Sequence, residues 1–212
     1  MRSKLSVPGA RPELFAKAWA GDADALAFDL EDSVPADRKA EARTQVVSFL
    51  RDQVAPVARK VIIVRTNALD TPHFEADVLA VAGVGIDLVN LPKVESVDEV
   101  TAAVEMLERA EVIHRLNRPI RLLINIETPR ELHSAAKLAA AHPRVAGLQL
   151  GLADLFEPLG IDRRDVPNVH ATMFVVRMAA AAAGIFACDG AFGDVRDEPG
   201  FRVEASMARR LG

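Results

Sequence analysis

The chain has 212 residues, of which 50% are hydrophobic and 26% charged, and its formal net charge is -4. A chain of this length and apolar content can bury one large core, so we expect a single domain over residues 1–212. Its Lys and Arg residues are scattered, whereas affinity for a phosphate backbone rests on clustered basic side chains. The negative net charge and the scattered basic residues argue against a nucleic-acid-binding protein.

The lone cysteine, Cys188, excludes an internal disulfide framework and any metal site built from several cysteines. A single thiol fits a reducing compartment, and we expect a cytoplasmic protein. No apolar stretch approaches the roughly 20 residues that cross a bilayer, so no membrane association is expected.

Short runs rich in β-branched residues or Leu alternate with amphipathic, helix-period stretches along the whole chain. The runs predict seven strands at residues 5–7, 25–29, 61–65, 88–91, 121–126, 145–150 and 185–187. Helices are predicted at residues 38–50, 97–116, 130–141, 169–183 and 199–211. Strict alternation predicts an α/β fold with a parallel sheet, which we interpret as a TIM-type (β/α)₈ barrel. With seven strands identified, strand eight and a C-terminal segment are expected to be absent from this chain.

Charged residues follow the second and third predicted strands. Asp29 and Glu31 share one side of an extended chain, and Arg65 leaves a run of four apolar residues. We expect these side chains at the carboxyl ends of the strands, where a parallel barrel carries its chemistry. Two alternatives stay open: Asp32 or Ser33 could cap the next helix, and Arg65 could be a structural partner of Asp29 or Glu31 rather than a substrate contact.

Two further carboxylates, Glu127 and Asp154, sit where the fifth and sixth predicted strands give way to helices. Carboxylates that close adjacent strands converge on a small volume and repel one another unless a cation intervenes, so the pair predicts a Mg²⁺ site. The alternative is helix capping, at Thr128-Pro129 and at Asp154 itself. Lys93, after the fourth strand, could instead form a Schiff base with a substrate. This interpretation is the weaker one, because the two carboxylates predict a metal site.

Seven motifs in order on successive strands carry a resemblance. They are LSVPGARPE at 5–13 with KA at 17–18, DLEDSVP at 29–35 with RK at 38–39, VRTN at 64–67, LPKVE at 91–95, IET at 126–128, GLADL at 151–155 and DG at 189–190. Together they resemble the citrate lyase β-subunit-like proteins of the HpcH/HpaI aldolase superfamily, and the similarity runs through nearly the whole chain.

The resemblance implies a Mg²⁺-dependent carbon–carbon lyase that acts on a 3-hydroxyacyl-CoA thioester, such as malyl-, citramalyl- or citryl-CoA, and releases a 2-oxo acid. Glu127 and Asp154 match the family's metal ligands, and Arg65 matches its substrate-binding arginine. Arg11 and Lys17 match residues that meet the CoA phosphates. Asp29 and Glu31 match an acidic pair behind the metal, expected to orient Arg65 and metal-bound water.

The family further implies a homotrimer or hexamer, in which a neighbouring subunit often donates the C-terminal segment that moves protons. Two other functions stay open. A metal-dependent aldolase on free 4-hydroxy-2-oxo acids ranks lower, because that branch usually places a histidine where Asp32 stands. A non-catalytic subunit or binding module of a lyase complex is the third, although the intact Arg65, Glu127 and Asp154 speak against it.

Overall fold

The computed structural model describes residues 1–53 and 60–212. Within these residues the strands are β1 Lys4–Pro8, β2 Ala25–Asp29, β3 Val61–Arg65, β4 Leu88–Leu91, β5 Arg121–Ile126, β6 Val145–Leu150 and β7 Phe186–Cys188. The α-helices are α1 Phe15–Ala20, α2 Lys39–Asp52, α3 Phe74–Ala82, α4 Val97–His114, α5 Pro129–Ala139, α6 Leu152–Phe156, α7 Val166–Ala182 and α8 Glu198–Leu211. No helix in the described ranges is long and apolar enough to cross a membrane.

The seven strands belong to one sheet in the order of the sequence. β1 pairs with β2, β2 with β3, β3 with β4, and β6 with β7, and all four pairs are parallel. The predicted α/β fold with a parallel sheet is therefore confirmed. β2 to β6 coincide with the predicted strands residue for residue, while β1 is longer by one residue at each end and β7 begins and ends one residue later.

The chain divides into two compact units, residues 1–92 with 98–122 and residues 93–97 with 123–212. In the first unit, every residue of β2 is buried. Phe28 of this strand meets Phe15 of α1 edge to face, with ring centroids 5.2 Å apart, and Phe49 of α2 lies 5.3 Å from Phe15. These rings attach the first two helices to the sheet.

Parallel register aligns the carboxyl ends of the first four strands. Pro8 is the Cα partner of Asp29, Asp29 of Arg65, and Arg65 of Asn90. The chain after β1 approaches β2 so closely that a Cβ on Gly9 would lie 2.5 Å from the Asp29 carbonyl oxygen. Glycine is therefore required at this position, and the motif that contains it reflects a backbone contact.

A buried carboxylate fixes the chain just after β3. Asp77 of α3 is fully buried, and its Oδ2 accepts hydrogen bonds from the main-chain N–H of Asn67 at 2.9 Å and from its side-chain amide at 2.6 Å. The other oxygen accepts from Nε of Arg43 on α2 at 2.6 Å. The loop that follows Arg65 is thus held by α3, and Arg43 of α2 orients the carboxylate that holds it.

In the second unit, α5 lies against α7, and β6 pairs with β7. Gly147 of β6 leaves room for the ring of Phe186, since a Cβ there would lie 2.4 Å from a ring carbon. Arg163 and Glu204 join the loop before α7 to α8 through two hydrogen bonds of 2.9 and 2.8 Å. α8 begins one residue before the predicted start, because Asp197 caps it by accepting from the Gly200 N–H at 2.9 Å.

Candidate active site

The guanidinium of Arg65 is surrounded by carboxylates of the loop 29–33, which we call the acidic loop. Its Nε and Nη2 donate to the two oxygens of Asp29, each at 2.7 Å. Nη1 lies 2.9 Å from Oε2 of Glu31 and 3.2 Å from Oδ2 of Asp32. Arg65 is therefore an ion-pair partner of Asp29 and Glu31, and Asp32 joins them. Its expected contact with substrate stays a prediction.

Asp29 also organises the acidic loop through the backbone. Its Oδ1 accepts from the Glu31 N–H at 2.9 Å and its Oδ2 from the Ser33 N–H at 3.1 Å. Burial acts to raise the pKa of Asp29, but the hydrogen bonds and charge of Arg65, with those two N–H groups, hold it below its ordinary value. The hydrogen bonds and charge of Asp29, with the charges of Glu31 and Asp32, overcome the effect of burial on Arg65, so the pKa of Arg65 is raised. The pair is ionised at neutral pH.

Lys39, at the start of α2, supports the acidic loop from behind. Its Nζ donates to the carbonyl oxygens of Leu30 at 3.0 Å and Glu31 at 2.6 Å. Sequence reasoning missed this contact, although Lys39 lies in one of the quoted motifs. The capping alternative for Asp32 or Ser33 is wrong: the 3₁₀ turn Ala36–Arg38 follows Pro35, and α2 begins at Lys39 without a side-chain cap.

Arg11 and Lys17 lie near the start of the first unit, and both side chains are exposed. Arg11 follows β1 and pairs with Glu13, whose pKa it lowers through their hydrogen bond. Lys17 lies in α1, a short helix of six residues. Their expected contact with CoA phosphates stays a prediction.

Glu127, the residue after β5, is almost completely buried and held by two donors. Its Oε1 accepts from the Lys93 main-chain N–H at 3.0 Å, and its Oε2 accepts from the Asn125 side-chain amide at 2.9 Å. Lys93 adopts a left-handed backbone conformation with φ of 55°, which is uncommon outside glycine. The exposed Lys93 thus contributes its backbone N–H to the carboxylate.

Gly151 leaves space for Glu127. Its N–H donates to the Ile126 carbonyl at 2.9 Å, which joins the ends of β5 and β6. A Cβ at this position would lie 2.6 Å from the Glu127 Cβ and 3.0 Å from its Oε2. The glycine of the GLADL motif is therefore explained by the position of the Glu127 side chain.

α5 begins with a capping box beside Glu127. Thr128 is the N-cap: its hydroxyl accepts from the Glu131 N–H at 3.2 Å, while Oε2 of Glu131 accepts from the Thr128 N–H at 2.8 Å and the Glu127 N–H at 2.6 Å. Glu131 is fully buried, and this burial outweighs its hydrogen bonds and raises its pKa to about 7. Helix capping at Thr128-Pro129 is thus confirmed. Glu131 itself was missed, although Thr-x-x-Glu is a readable sequence signal.

Asp154 is exposed in the first turn of the short helix α6. The N-cap of that helix is Gly151, and Asp154 is its third residue, so the expectation that Asp154 is the N-cap is wrong. Over residues 1–53 and 60–212, no three His, Cys, Asp or Glu side chains form a group that could hold a metal.

The carboxylates of Glu127 and Asp154 are nevertheless the type of ligand that Mg²⁺ takes, and their assignment as a metal site stays a prediction. This ion takes oxygen ligands and is usually bound through only one or two carboxylates, with water and substrate completing its coordination. A buried, hydrogen-bonded carboxylate and an exposed one suit that arrangement, since the exposed partner leaves room for solvent and substrate.

Comparisons with known proteins agree with one another. A model of the family described as HpcH/HpaI aldolase/citrate lyase matches residues 2–212. The whole chain is 32% identical to the L-malyl-CoA/beta-methylmalyl-CoA lyase of Cereibacter sphaeroides and covers 72% of it. It is 36% identical to the citrate lyase subunit beta of Escherichia coli and 34% identical to the (3S)-malyl-CoA thioesterase of Cereibacter sphaeroides, with 70% of each covered.

Solved structures give the same result. Protein CitE of Mycobacterium tuberculosis in complex with magnesium and pyruvate is similar with a TM-score of 0.79 and 30% identity, over 99% of this chain and 81% of that one. CitE in complex with magnesium, acetoacetate and coenzyme A is similar with a TM-score of 0.74 and 28% identity, over 100% of this chain and 82% of that one.

Proposed function

Because the chain belongs to the HpcH/HpaI aldolase/citrate lyase family, we propose that it is a Mg²⁺-dependent carbon–carbon lyase acting on a 3-hydroxyacyl-CoA thioester. The observation that carries this proposal is the match of the whole chain to a malyl-CoA lyase and a citrate lyase subunit, with the carboxylate of Glu127 buried and hydrogen-bonded. The substrate class comes from those relatives.

In such a cleavage the bond between C2 and C3 of the acyl chain breaks. The hydroxyl-bearing carbon becomes the carbonyl of the 2-oxo acid, and the electron pair passes to the thioester enolate, which a proton converts to acyl-CoA. The barrier therefore lies in charge that builds on the thioester oxygen while the hydroxyl loses its proton.

We assign Glu127 and Asp154 as the residues that would hold Mg²⁺. When bound, this ion supplies Lewis acidity that favours ionisation of the substrate hydroxyl. Glu127 is fit for the role because the Lys93 N–H and the Asn125 amide fix the orientation of its carboxylate, at 3.0 and 2.9 Å. A ligand already held in place loses little freedom when the ion binds.

Arg65 is assigned to bind a substrate carboxylate or the enolate oxygen. Its side chain keeps 20% exposure, and its longest contact is the 3.2 Å one to Asp32, which is 47% exposed. Asp32 is therefore the partner of Arg65 that a substrate could displace with the smallest loss of buried interactions. Asp29 and Glu31 hold the guanidinium in one orientation, and Arg11 and Lys17 are assigned to the CoA phosphates.

The whole fold is proposed to be a (β/α)₈ barrel of one domain, of which the described sheet supplies seven strands. We further propose a homotrimer or hexamer and a cytoplasmic location. These proposals follow from the family resemblance and the composition.

A second candidate function is hydrolysis of the thioester, because a (3S)-malyl-CoA thioesterase is 34% identical over the whole chain. The products separate the two reactions. Incubation with malyl-CoA and Mg²⁺ should release glyoxylate, trapped as its phenylhydrazone, without a free thiol. Free thiol detected with a disulfide reagent, together with malate, would instead establish the thioesterase.

A further inference from the structure

Glu131 makes one more bond than a capping box needs. In a capping box the carboxylate of the third helical residue reaches the N–H of the N-cap, here Thr128. Oε2 of Glu131 also accepts from the N–H of the preceding residue, Glu127, and that bond is the shorter one, at 2.6 Å against 2.8 Å. We propose that Glu131 is a positioning residue, which holds the backbone of Glu127 so that its carboxylate meets Mg²⁺.

The burial of Glu131 supports a role beyond capping. The side chain is fully buried, and Oε1 has no hydrogen-bond partner in the described structure. A buried carboxylate with an unpartnered oxygen is an unfavourable means of capping a helix, because desolvation opposes it and the Thr128 hydroxyl already serves as the cap. The second bond, to Glu127, gives this buried carboxylate a role beyond the cap.

Contacts around Glu127 show what the bond adds. Lys93 and Asn125 fix the two carboxylate oxygens, while Glu131 fixes the main-chain nitrogen of the same residue. The side chain is thus restrained at both ends. Loss of the Glu131 bond frees the main chain and allows the carboxylate to leave its place. This inference rests on the proposed metal site. Glu131 bonds to the main-chain N–H of Glu127 and not to the carboxylate oxygens that would bind the metal.

The test measures Mg²⁺ affinity without any thioester, by isothermal titration calorimetry, with Mn²⁺ followed by electron paramagnetic resonance as a second probe. Glu131→Ala should weaken Mg²⁺ binding by about 10- to 100-fold, the range typical of residues that orient a metal ligand. Glu131→Asp keeps the charge but withdraws it from both N–H groups, and it should weaken binding similarly. It also serves if the alanine variant does not fold.

Two variants separate positioning from charge and from helix stability. Glu131→Gln replaces the ionisable carboxyl with a neutral amide but keeps an oxygen that can accept both bonds, so its Mg²⁺ affinity should stay within about threefold of wild type. Thr128→Ala loses the cap and should lower the melting temperature, while its Mg²⁺ affinity should stay within about twofold because the bond to Glu127 remains.

Equal loss of affinity in Glu131→Gln and Glu131→Ala would overturn the inference, because charge alone would then explain it. Wild-type affinity in Glu131→Ala would also overturn it, and the metal site would stand if Glu127→Ala had lost binding. Wild-type affinity in Glu127→Ala would refute the proposed metal site itself, and with it the role of Glu131.

Discussion

Arg65→Met should strongly destabilise the protein, because it leaves buried carboxylates without their counter-ion. The side chain of Asp29 is 9% exposed and that of Glu31 is 6% exposed. The variant removes both 2.7 Å bonds to Asp29 and the 2.9 Å contact to Glu31, while the N–H groups of Glu31 and Ser33 still donate to Asp29. Breaking a buried ion pair from one side destabilises by about 3 to 5 kcal/mol.

This loss is measurable by unfolding. For a chain of 212 residues, 1 kcal/mol corresponds to about 2 to 4 °C, so the melting temperature should fall by about 10 °C. Urea titration followed by circular dichroism should show a lower midpoint with an unchanged slope. Arg38→Met is the matched control, because the Arg38 pair with Glu41 is exposed and its removal should leave the midpoint unchanged.

The pH dependence gives a second test of the same reasoning. The pKa of Asp29 is lowered in the folded wild type, so the pair stabilises the fold above the ordinary carboxylate pKa, and this contribution disappears as the pH falls through the lowered value. In Arg65→Met the N–H groups of Glu31 and Ser33 oppose burial without the hydrogen bonds and charge of Arg65, so the pKa of Asp29 should rise and protonation should relieve the buried charge. The difference between variant and wild type should therefore be largest near pH 7 and shrink towards pH 4. A loss below about 1 kcal/mol, or one independent of pH, would refute the buried-pair account.

Two other substitutions test the close contacts that shape the site. Gly151→Ala places a Cβ 2.6 Å from that of Glu127, so calorimetry should show weaker Mg²⁺ binding and thermal unfolding a stability loss of about 1 to 3 kcal/mol. The control is Gly193→Ala, where a Cβ meets nothing within 4 Å. Equal behaviour of the two variants would contradict the steric argument. Asp77→Ala removes the ion-pair partner of Arg43 and the hydrogen bond that holds the loop after β3. Urea unfolding should therefore show a stability loss of at least about 3 kcal/mol. A change within experimental error would show that the loop is held by other contacts.

The strands could be read from the sequence because their signal is local. Residues 61–64 of β3 and 122–124 of β5 are apolar runs between polar residues, and a parallel sheet buries such runs on both faces. β7 was placed one residue early, because the chain 185–187 is short and has little to distinguish its ends.

The partners of the site residues were harder to predict, because they depend on register and turn geometry. That Arg65 pairs with Asp29 follows from their being Cα partners on β2 and β3, which no single stretch of sequence specifies. The Lys93 contact depends on a left-handed residue that is not glycine. Glu131 is the exception, since its capping signal was present in the sequence and only its bond to Glu127 needed the structure.

The central claim is Mg²⁺-dependent cleavage of a 3-hydroxyacyl-CoA thioester, and its most direct test offers malyl-, citramalyl- and citryl-CoA to the protein. Released glyoxylate, pyruvate or oxaloacetate is measured with Mg²⁺, with EDTA, and in the Glu127→Ala variant. The account predicts release of one 2-oxo acid that both EDTA and the substitution abolish. Release that persists in EDTA and in Glu127→Ala, or the absence of any 2-oxo acid from all three thioesters, would contradict it.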